Sequence, residues 1–335
     1  MIEQIEFKNF KALRDTTLPL GRFTLIVGPN GSGKSTALQA LQAASVPGNY
    51  NFDSISTLGG QDAVIVTIKW GSSHENQQLE TRWHNPGSGR GIISRSLDQN
   101  GAQLGNEPKI QLVRWVDNSR VFSLDPVKIA QPVKLTPGIE LAPIGFGLAG
   151  VLDHLRDQAP ERFESLNEEL HRWLPEYDRI LFDVPETGQR AFSLRTVSGH
   201  QIAATELSHG TLLALAILTI AYLPDPPPLV AFEDPDRGIH PRLLRDVQDA
   251  LYRLAYPENY GESREPVQVI ATTHSPYLLD LYKDHPEEIV IAHKQGSDAT
   301  FERLSDRADI NEILQDASLG EVWFSGILGG VPAET

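Results

Sequence analysis

A glycine-rich segment near the start of the chain constrains its fold more than any other feature. Residues 28–35 read Gly-Pro-Asn-Gly-Ser-Gly-Lys-Ser and fit the spacing G-x-x-x-x-G-K-[ST] of a phosphate-binding loop. The loop follows an apolar run at residues 23–27, and the residues after it, rich in Ala, Leu and Gln, predict a helix over 35–44. A strand, a glycine loop and a helix in this order place backbone N–H groups around the β-phosphate of a nucleotide.

The residues of this loop have separate predicted roles. Lys34 reaches the β- and γ-phosphates, and the Ser35 hydroxyl is a predicted Mg²⁺ ligand. The full set of predicted nucleotide-binding residues in the loop and the helix start is Asn30, Gly31, Ser32, Gly33, Lys34, Ser35 and Thr36.

Two acidic residues, Glu233 and Asp234, follow a second apolar run at residues 229–232. A phosphate loop needs such a strand, because one acid holds Mg²⁺ and another orients the attacking water. Pro235 comes next and cannot act as a base, so we assign Glu233 to the metal and Asp234 to the water. The alternative is an acidic turn at the end of a strand.

A histidine, His274, comes shortly after a third apolar run at residues 267–271. Open α/β sheets bind ligands beyond the carboxyl ends of their strands, so His274 is placed to sense the γ-phosphate by a hydrogen bond. We predict it as a catalytic residue together with Glu233 and Asp234. A structural histidine is the alternative.

The segment Glu206-Leu207-Ser208-His209-Gly210-Thr211 comes directly before the longest apolar stretch, residues 211–223. Ser208 and Gly210 have the features of an anion-binding helix start: free N–H groups, a hydroxyl and the positive end of the helix dipole. Read alone, the same residues form an N-cap. The apolar stretch has 13 residues, fewer than the ~20 that span a bilayer.

Composition excludes several classes of protein. The 335 residues include no cysteine, which removes disulfides, thiolate nucleophiles and cysteine-ligated zinc. The net charge of −15 argues against a surface that binds nucleic acid throughout. Residues 82–134 differ, with eight Lys/Arg against four Asp/Glu, and form either a solvated lobe or a local phosphate-facing patch. No signal peptide precedes the first strand, so we expect a cytoplasmic protein without membrane association.

The remaining pattern alternates strands with helices, which predicts an α/β fold with a parallel sheet. Pro160 is expected to break a long helix. The other predicted elements are strands at 63–70, 112–122 and 192–197, the helix at 148–174, and an amphipathic helix at 241–256.

With these pieces in this order, the chain resembles the ABC-type ATPases of the SMC and RecF kind. More narrowly, it is similar to the compact AAA-type ATPases related to the ATPase domain of the OLD family. The similar segments are the opening at 5–11, the signature motif at 206–211, the Walker B and D-loop segment at 232–241, and the switch-histidine segment at 272–276.

The resemblance implies a single ABC-type ATPase domain. Its expected fold has a mostly parallel core sheet, an antiparallel β region and a helical lobe that carries the signature motif. The expected lobes are an N-terminal phosphate-loop and β lobe at 1–145, a helical and signature lobe at 146–223, and a part at 224–335 with Walker B, the switch histidine and the tail.

The resemblance also implies a mechanism. Two heads form a homodimer, or a higher oligomer, around two ATP molecules with Mg²⁺, and Ser208 of one copy contacts the γ-phosphate bound to the other. Asp234 stands where the family usually has glutamate and is one methylene shorter, so we expect slow hydrolysis. The glutamine loop of the family has two candidates here, Gln61 and Gln131.

Three functions are compatible with this sequence. The first is an ATPase switch for a separately encoded effector, a nuclease in bacterial anti-phage defence, because no toprim-like nuclease domain follows the ATPase segment. The second is a RecF-like repair ATPase that binds DNA, and the third, less favoured, is the nucleotide-binding subunit of a membrane transporter.

The apolar, glycine-rich tail at 319–332 is either a strap on its own domain or a docking patch for a partner.

Overall fold

The computed structural model of the chain describes residues 1–71, 77–85, 87, 92–99, 102–103, 106–310 and 318–329. The strands in these ranges are β1 (Ile2–Phe10), β2 (Leu13–Pro19), β3 (Phe23–Val27), β4 (Val64–Trp70), β5 (Gln77–Trp83), β6 (Ile93–Gln99), β7 (Ala102–Gln103), β8 (Arg120–Phe122), β9 (Val133–Lys134), β10 (Tyr177–Asp183), β11 (Gln189–Thr196), β12 (Gln201–Ala203), β13 (Leu229–Phe232), β14 (Gln268–Thr273), β15 (Ile289–Gln295) and β16 (Asp298–Arg303). The α-helices are α1 (Lys34–Ser45), α2 (Phe52–Ile55), α3 (Asn106–Asp117), α4 (Pro126–Ile129), α5 (Leu148–Gln158), α6 (Pro160–Trp173), α7 (His209–Ala221), α8 (Leu244–Ala255), α9 (Pro276–Asp280) and α10 (Leu319–Phe324).

A six-stranded core sheet contains the strand that leads into the phosphate loop. Its strand order is β16-β15-β3-β14-β13-β8, and β3 runs parallel to both β14 and β15. All five residues of β3 are buried. Burial on both faces explains why the central strands β3 and β13 are continuous apolar runs without alternation.

An antiparallel sheet supplies the β region of the N-terminal part. Its strand order is β2-β1-β4-β5-β6-β7. β1 places Ile2, Ile5, Phe7 and Phe10 in a hydrophobic core, while residues between them are partly or fully exposed. This alternation is typical of a sheet that covers a core with one face.

The chain folds as two compact units. The first comprises Met1–Val121, Pro227–Ala231 and Val267–Thr335, and the second comprises Phe122–Pro226 and Phe232–Pro266. The chain therefore leaves the first unit after residue 121 and returns to it twice.

The second unit contains the helical lobe. Helices α5 and α6 pack against each other and against the antiparallel strands β11 and β10. In α7, eleven of the thirteen residues are buried, from Thr211 to Ala221. The strongly apolar sequence of α7 is thus explained by its place in the core of this unit. No helix in the described ranges is long and apolar enough to cross a membrane.

The prediction of a strand at 112–122 is wrong. The segment forms the end of α3, and only Arg120–Phe122 is a strand. Leu112 and Val116 are buried, and their spacing of four residues puts them on one helix face. A short apolar run fits the hydrophobic period of a helix as well as that of a strand, which explains why the prediction from the sequence was wrong. The predicted break at Pro160 is confirmed, since α5 ends at Gln158 and α6 begins at Pro160.

Candidate nucleotide-binding site

The phosphate loop takes a backbone path that requires glycine at three positions. Gly31 and Gly33 have φ of +76° and +95°, in the left-handed region that side chains disfavour. A Cβ on Gly28 would lie 2.6 Å from the carbonyl oxygen of Ala292. The glycine pattern that identified the loop in the sequence therefore has a conformational cause at each of these positions.

Helix α1 begins directly after the loop. Its first intrahelical bond runs from the N–H of Ala37 to the carbonyl of Gly33, at 2.8 Å. The N–H groups of the preceding residues therefore have no acceptor within the helix, and they point along the positive end of its dipole. Ser35 is exposed and Thr36 is half-buried at this end, an arrangement that fits phosphate oxygens.

The loop lysine is held inside the loop. Lys34 is 4% exposed, and its Nζ donates to the carbonyls of Gly28 at 2.7 Å and Pro29 at 3.2 Å. Ser32 is fully buried, and its Oγ has no hydrogen-bond partner in the described part of the protein. A concentrated positive charge, outward N–H groups and an unpartnered buried hydroxyl fit the binding of a polyphosphate.

The structure brings His274 to the same edge of the sheet as the phosphate loop. In the parallel pair of β14 and β3, Thr273 is the partner of Val27. His274 and Gly28 are therefore the first residues beyond these two neighbouring strands. His274 is exposed, so a ligand in solution can reach it.

A second lysine beside the loop escaped the sequence reasoning. In the parallel pair of β15 and β3, Ile291 is the partner of Val27, so Lys294 lies three residues beyond that level. Its Nζ is 3.7 Å from the position that a Cβ on Gly31 would take. The register of two distant strands brings Lys294 close to the loop, and no local motif predicts this.

The two predicted Walker B acids follow β13. The N–H of Glu233 donates to the carbonyl of Phe122 at 2.8 Å, and the rings of Phe122 and Phe232 stack with centroids 5.6 Å apart. Asp234 has φ of +46°. Aspartate is one of the few residues other than glycine that enter this left-handed region readily, and glutamate is not. The left-handed backbone at this position is thus one that aspartate tolerates.

A small cavity adjoins these acids. Its volume is about 10 Å³, and Phe232, Glu233 and Asp234 line it together with Leu213 and Ile217 of α7. This volume corresponds to about one water molecule.

The signature segment forms an N-cap, as its sequence alone suggests. Ser208 Oγ accepts a hydrogen bond from the N–H of Thr211 at 3.1 Å, and the Ser208 side chain lies at the surface. A Cβ on Gly210 would lie 2.7 Å from the carbonyl oxygen of Gly238. Close packing against the turn after Asp234 therefore requires glycine at 210, independently of any role in nucleotide binding.

The predicted site residues thus divide between the two units. The loop residues 30–36 and His274 belong to the first unit, and Glu233, Asp234, Ser208 and Gly210 belong to the second. Their individual roles remain predictions. The same holds for the two glutamines: Gln61 is exposed and Gln131 is half-buried.

The basic stretch at 82–134 is partly neutralised by its own lobe. Arg82 pairs with Glu80 at 2.9 Å, and Arg95 pairs with Asp117 at 2.8 Å. Arg90 lies outside the described residues.

The tail contains a short helix that packs on its own unit. The N–H of Gly320 in α10 donates to Asp280 Oδ1 of α9 at 2.6 Å. Phe324 at the end of α10 is 83% exposed. Residues 330–332 of the predicted tail lie outside the described ranges.

A family model described as "AAA domain, putative AbiEii toxin, Type IV TA system" matches residues 95–280, more than half of the chain. The chain belongs to this AAA family. A second model, "AAA ATPase domain", matches residues 1–72, which include the phosphate loop. ATP hydrolysis is the general activity of such ATPases, and their nucleotide is ATP, typically with Mg²⁺.

Two curated relatives of this AAA protein match short segments. The OLD nuclease of Thermus scotoductus is 54% identical over 41 residues, which are 12% of this chain and 8% of the nuclease. The DNA double-strand break repair Rad50 ATPase of Methanopyrus kandleri is 27% identical over 92 residues, which are 27% of this chain and 10% of that ATPase. The matches thus span a tenth or less of either relative.

Solved SMC heads share the fold of this AAA protein. A head bound to the C-winged helix domain of ScpA gives a TM-score of 0.63 at 16% identity, over 90% of this chain and 96% of the head. The second is an Smc head with an extended coiled coil, bound to the C-terminal domain of ScpA derived from Pyrococcus furiosus. It gives a TM-score of 0.63 at 14% identity, over 94% of this chain and 99% of that head. The expected ABC-type α/β head and the resemblance to SMC/RecF-like, OLD-related ATPases are confirmed.

Proposed function

We propose that this AAA-family ATPase is a nucleotide-driven switch whose copies dimerise around two ATP molecules. The observation that carries the proposal is the exposed Ser208 at the N-terminus of α7, in a chain that also has a formed phosphate loop. An exposed hydroxyl beside outward N–H groups and a positive helix end fits a phosphate that a second copy brings to it.

The proposed roles follow from the chemistry of each residue. Residues 30–36 bind the phosphates, and Ser35 and Glu233 would hold Mg²⁺, which neutralises charge on the phosphate oxygens. Asp234 accepts a hydrogen bond from the attacking water, and His274 donates one to the γ-phosphate. Ser208 and Gly210 of the other copy complete the site.

We further propose that hydrolysis is slow and sets the lifetime of the dimer. The Asp234 carboxylate is one methylene shorter than glutamate and stands on a left-handed backbone, which fixes its direction. A displacement of about 1 Å from the best position can cost on the order of 100-fold in rate. An ATPase of this kind acts as a timer.

The proposed output is control of a separately encoded effector, a nuclease in bacterial anti-phage defence. The support is the segment shared with an OLD nuclease and the family description, which names a toxin of a toxin–antitoxin system. A second candidate is a DNA-binding repair ATPase, which the similarity to the Rad50 repair ATPase favours. The ion pair of Arg82 with Glu80 weighs against it, because Glu80 lies outside the basic stretch and neutralises one of its excess positive charges.

Light scattering with a non-hydrolysable ATP analogue tests the switch. Ser208→Arg is expected to leave binding of a fluorescent ATP analogue unchanged and to abolish dimerisation, because its side chain fills the space of the partner's phosphate. Lys34→Ala should abolish both. The matched control is Ser198→Arg, which adds the same charge to an exposed turn of the same unit.

If Ser208→Arg dimerises as well as the wild type, the proposed dimer around two ATP molecules is excluded. DNA binding measured against salt concentration separates the two outputs. A steep salt dependence at physiological ionic strength supports the repair candidate, and no binding supports the effector model.

A further inference from the structure

One face of the hairpin formed by β15 and β16 lies against the phosphate loop. A Cβ added to Gly31 would lie 3.7 Å from Lys294 Nζ of β15, and one added to Gly33 would lie 2.6 Å from Ala299 Cβ of β16. Lys294 and Ala299 are partners in this antiparallel pair, and such partners project to the same face. Ala292, two residues before Lys294, also lies against the loop. This face of the hairpin therefore lines the phosphate loop.

The opposite face of the hairpin carries the tail. His293 is one residue before Lys294 in β15, so its side chain projects to that opposite face. Its Nδ1 lies 3.1 Å from the position that a Cβ on Gly329 would take, and its Nε2 lies 3.3 Å from Glu302 Oε2 of β16. Gly329 has φ of +78°, and Leu328 before it is fully buried. The tail and the phosphate loop therefore lie on the two sides of one hairpin.

The part of β15 that carries Lys294 has little support from the sheet itself. β15 pairs with β3 through residues 289–291, whereas its pairing with β16 continues from there to Gln295. Beyond residue 291 the described sheet thus consists of two strands, and two strands without further packing are marginally stable in water. Because the tail packs on His293, it restricts the position of this end of the hairpin, and with it the position of the Lys294 ammonium.

We propose that His293 is a positioning residue: with the tail packed against it, it holds the Lys294 ammonium beside the phosphate loop, where that charge favours an anionic polyphosphate. Thermodynamic linkage makes the coupling reciprocal, so a bound nucleotide stabilises the packing of the tail by the same factor. The inference goes beyond the proposed switch, because it needs a nucleotide at the phosphate loop but no dimer and no effector.

The first test measures binding of a fluorescent ATP analogue, in the Ser208→Arg background so that dimerisation plays no part. Gly329→Val puts a branched side chain on a left-handed backbone and its Cβ against His293, which displaces the tail. The expected loss of affinity is about two- to threefold at low salt and smaller at high salt, because a partly screened charge is affected. Gly59→Val is the matched control in the same unit, since Gly59 has φ of +75° but open space around its Cβ position. Equal losses in the two variants would overturn the inference.

A double-mutant cycle separates positioning from a general loss of stability. Lys294→Ala lacks the charge that the tail and His293 are proposed to hold in place, so Gly329→Val should cause no further loss of affinity in that background. His293→Ala removes the ring on which the tail packs and should behave as Gly329→Val does, with Lys294 present and with Lys294 replaced. An undiminished loss in the Lys294→Ala background would show that the tail does not act through Lys294, and the inference would be wrong.

Hydrogen exchange of the tail measures the same coupling in the opposite direction, and in the wild type it does not depend on the folding of any variant. The amides of residues 319–329 should exchange at least about twofold more slowly when the ATP analogue saturates the protein. Lys294→Ala, at saturating analogue, should lose this protection. Unchanged exchange in a wild type that binds the analogue refutes the coupling alone, whereas a wild type that binds no analogue refutes the nucleotide site and this inference with it.

Discussion

A largely enclosed carboxylate in the second unit, Glu262, offers a sharp test of how the helix that begins after Ser208 is held. Glu262 is 9% exposed and contacts three guanidinium groups: Arg253 at 2.5 Å, Arg264 at 2.8 Å and Arg162 at 3.2 Å. The carboxylate of Glu262 thus holds three guanidinium groups in place.

These arginines also satisfy the ends of two helices. Arg162 donates to the carbonyl of Leu223, just beyond α7, and Arg264 donates to the carbonyl of Arg253 in the last turn of α8. The last carbonyls of a helix have no partner within it. Glu262 therefore holds in place the donors that cap α7, whose other end carries Ser208.

We predict that Glu262→Gln destabilises the protein by about 3 kcal/mol. The substitution keeps the shape but removes the charge, and breaking a buried ion pair costs about 3–5 kcal/mol. The lower end applies, because the side chains of Arg162 and Arg253 are 31% and 23% exposed and water screens part of the remaining charge. For a chain of 335 residues the expected fall in melting temperature is roughly 4 °C.

Urea and thermal unfolding, followed by circular dichroism, measure this loss. The matched control is Glu164→Gln, since Glu164 pairs with Arg179 at 2.6 Å but both side chains are about half exposed. Removing such a surface pair should cost under about 1 kcal/mol. An equal loss in both variants would refute the reasoning.

The dependence of stability on pH adds an independent check. Burial raises the pKa of Glu262, but the guanidinium groups, Arg253 foremost, outweigh it and hold that pKa below 4.5. A carboxyl whose pKa is lower in the folded state contributes stability that is complete above its unfolded pKa and is lost as pH falls through its folded pKa. Glu262→Gln should therefore lose less stability than the wild type on acidification below pH 4.5. If the wild type and Glu262→Gln lose the same stability on acidification, the contribution of Glu262 is contradicted.

Three further predictions concern the candidate site. Asp234→Asn introduces a residue that also tolerates the left-handed backbone. The variant should bind ATP but release phosphate about 100-fold more slowly than the wild type. A wild-type rate would mean that Asp234 does not orient the water. Gly210→Ala should lower the free energy of unfolding by about 1–3 kcal/mol, because its Cβ meets the backbone of Gly238. Gly48→Ala is the control and should not lower it, because the space around Gly48 is open. Equal effects of the two substitutions on urea unfolding would refute the packing argument. Lys294→Ala should weaken binding of a fluorescent ATP analogue roughly two- to fivefold at low salt and less at high salt, and no change at low salt would remove Lys294 from the site.

Much of the candidate site could be read from contiguous residues. The strand, loop and helix around Lys34 were predicted because glycine spacing, a buried apolar run and helix-forming residues all act locally. The N-cap at Ser208 followed from the same kind of information. Residues 112–117, in contrast, were assigned to a strand, because a run of six apolar and polar residues fits both periods and only packing selects the helix.

The phosphate loop, the break at Pro160, the apolar helix α7 and the family resemblance could all be recognised from the amino-acid sequence. Tertiary structure decided the rest: the contact of Lys294 with the loop, the glycine required at 210, the left-handed backbone at Asp234, and the three arginines around Glu262. The position of Lys294 depends on the register of strands, and the glycine at 210 and the Arg162–Glu262 pair depend on the close approach of segments far apart in the chain. Local chemistry is encoded in neighbouring residues, whereas a contact across many residues exists only after the chain has packed.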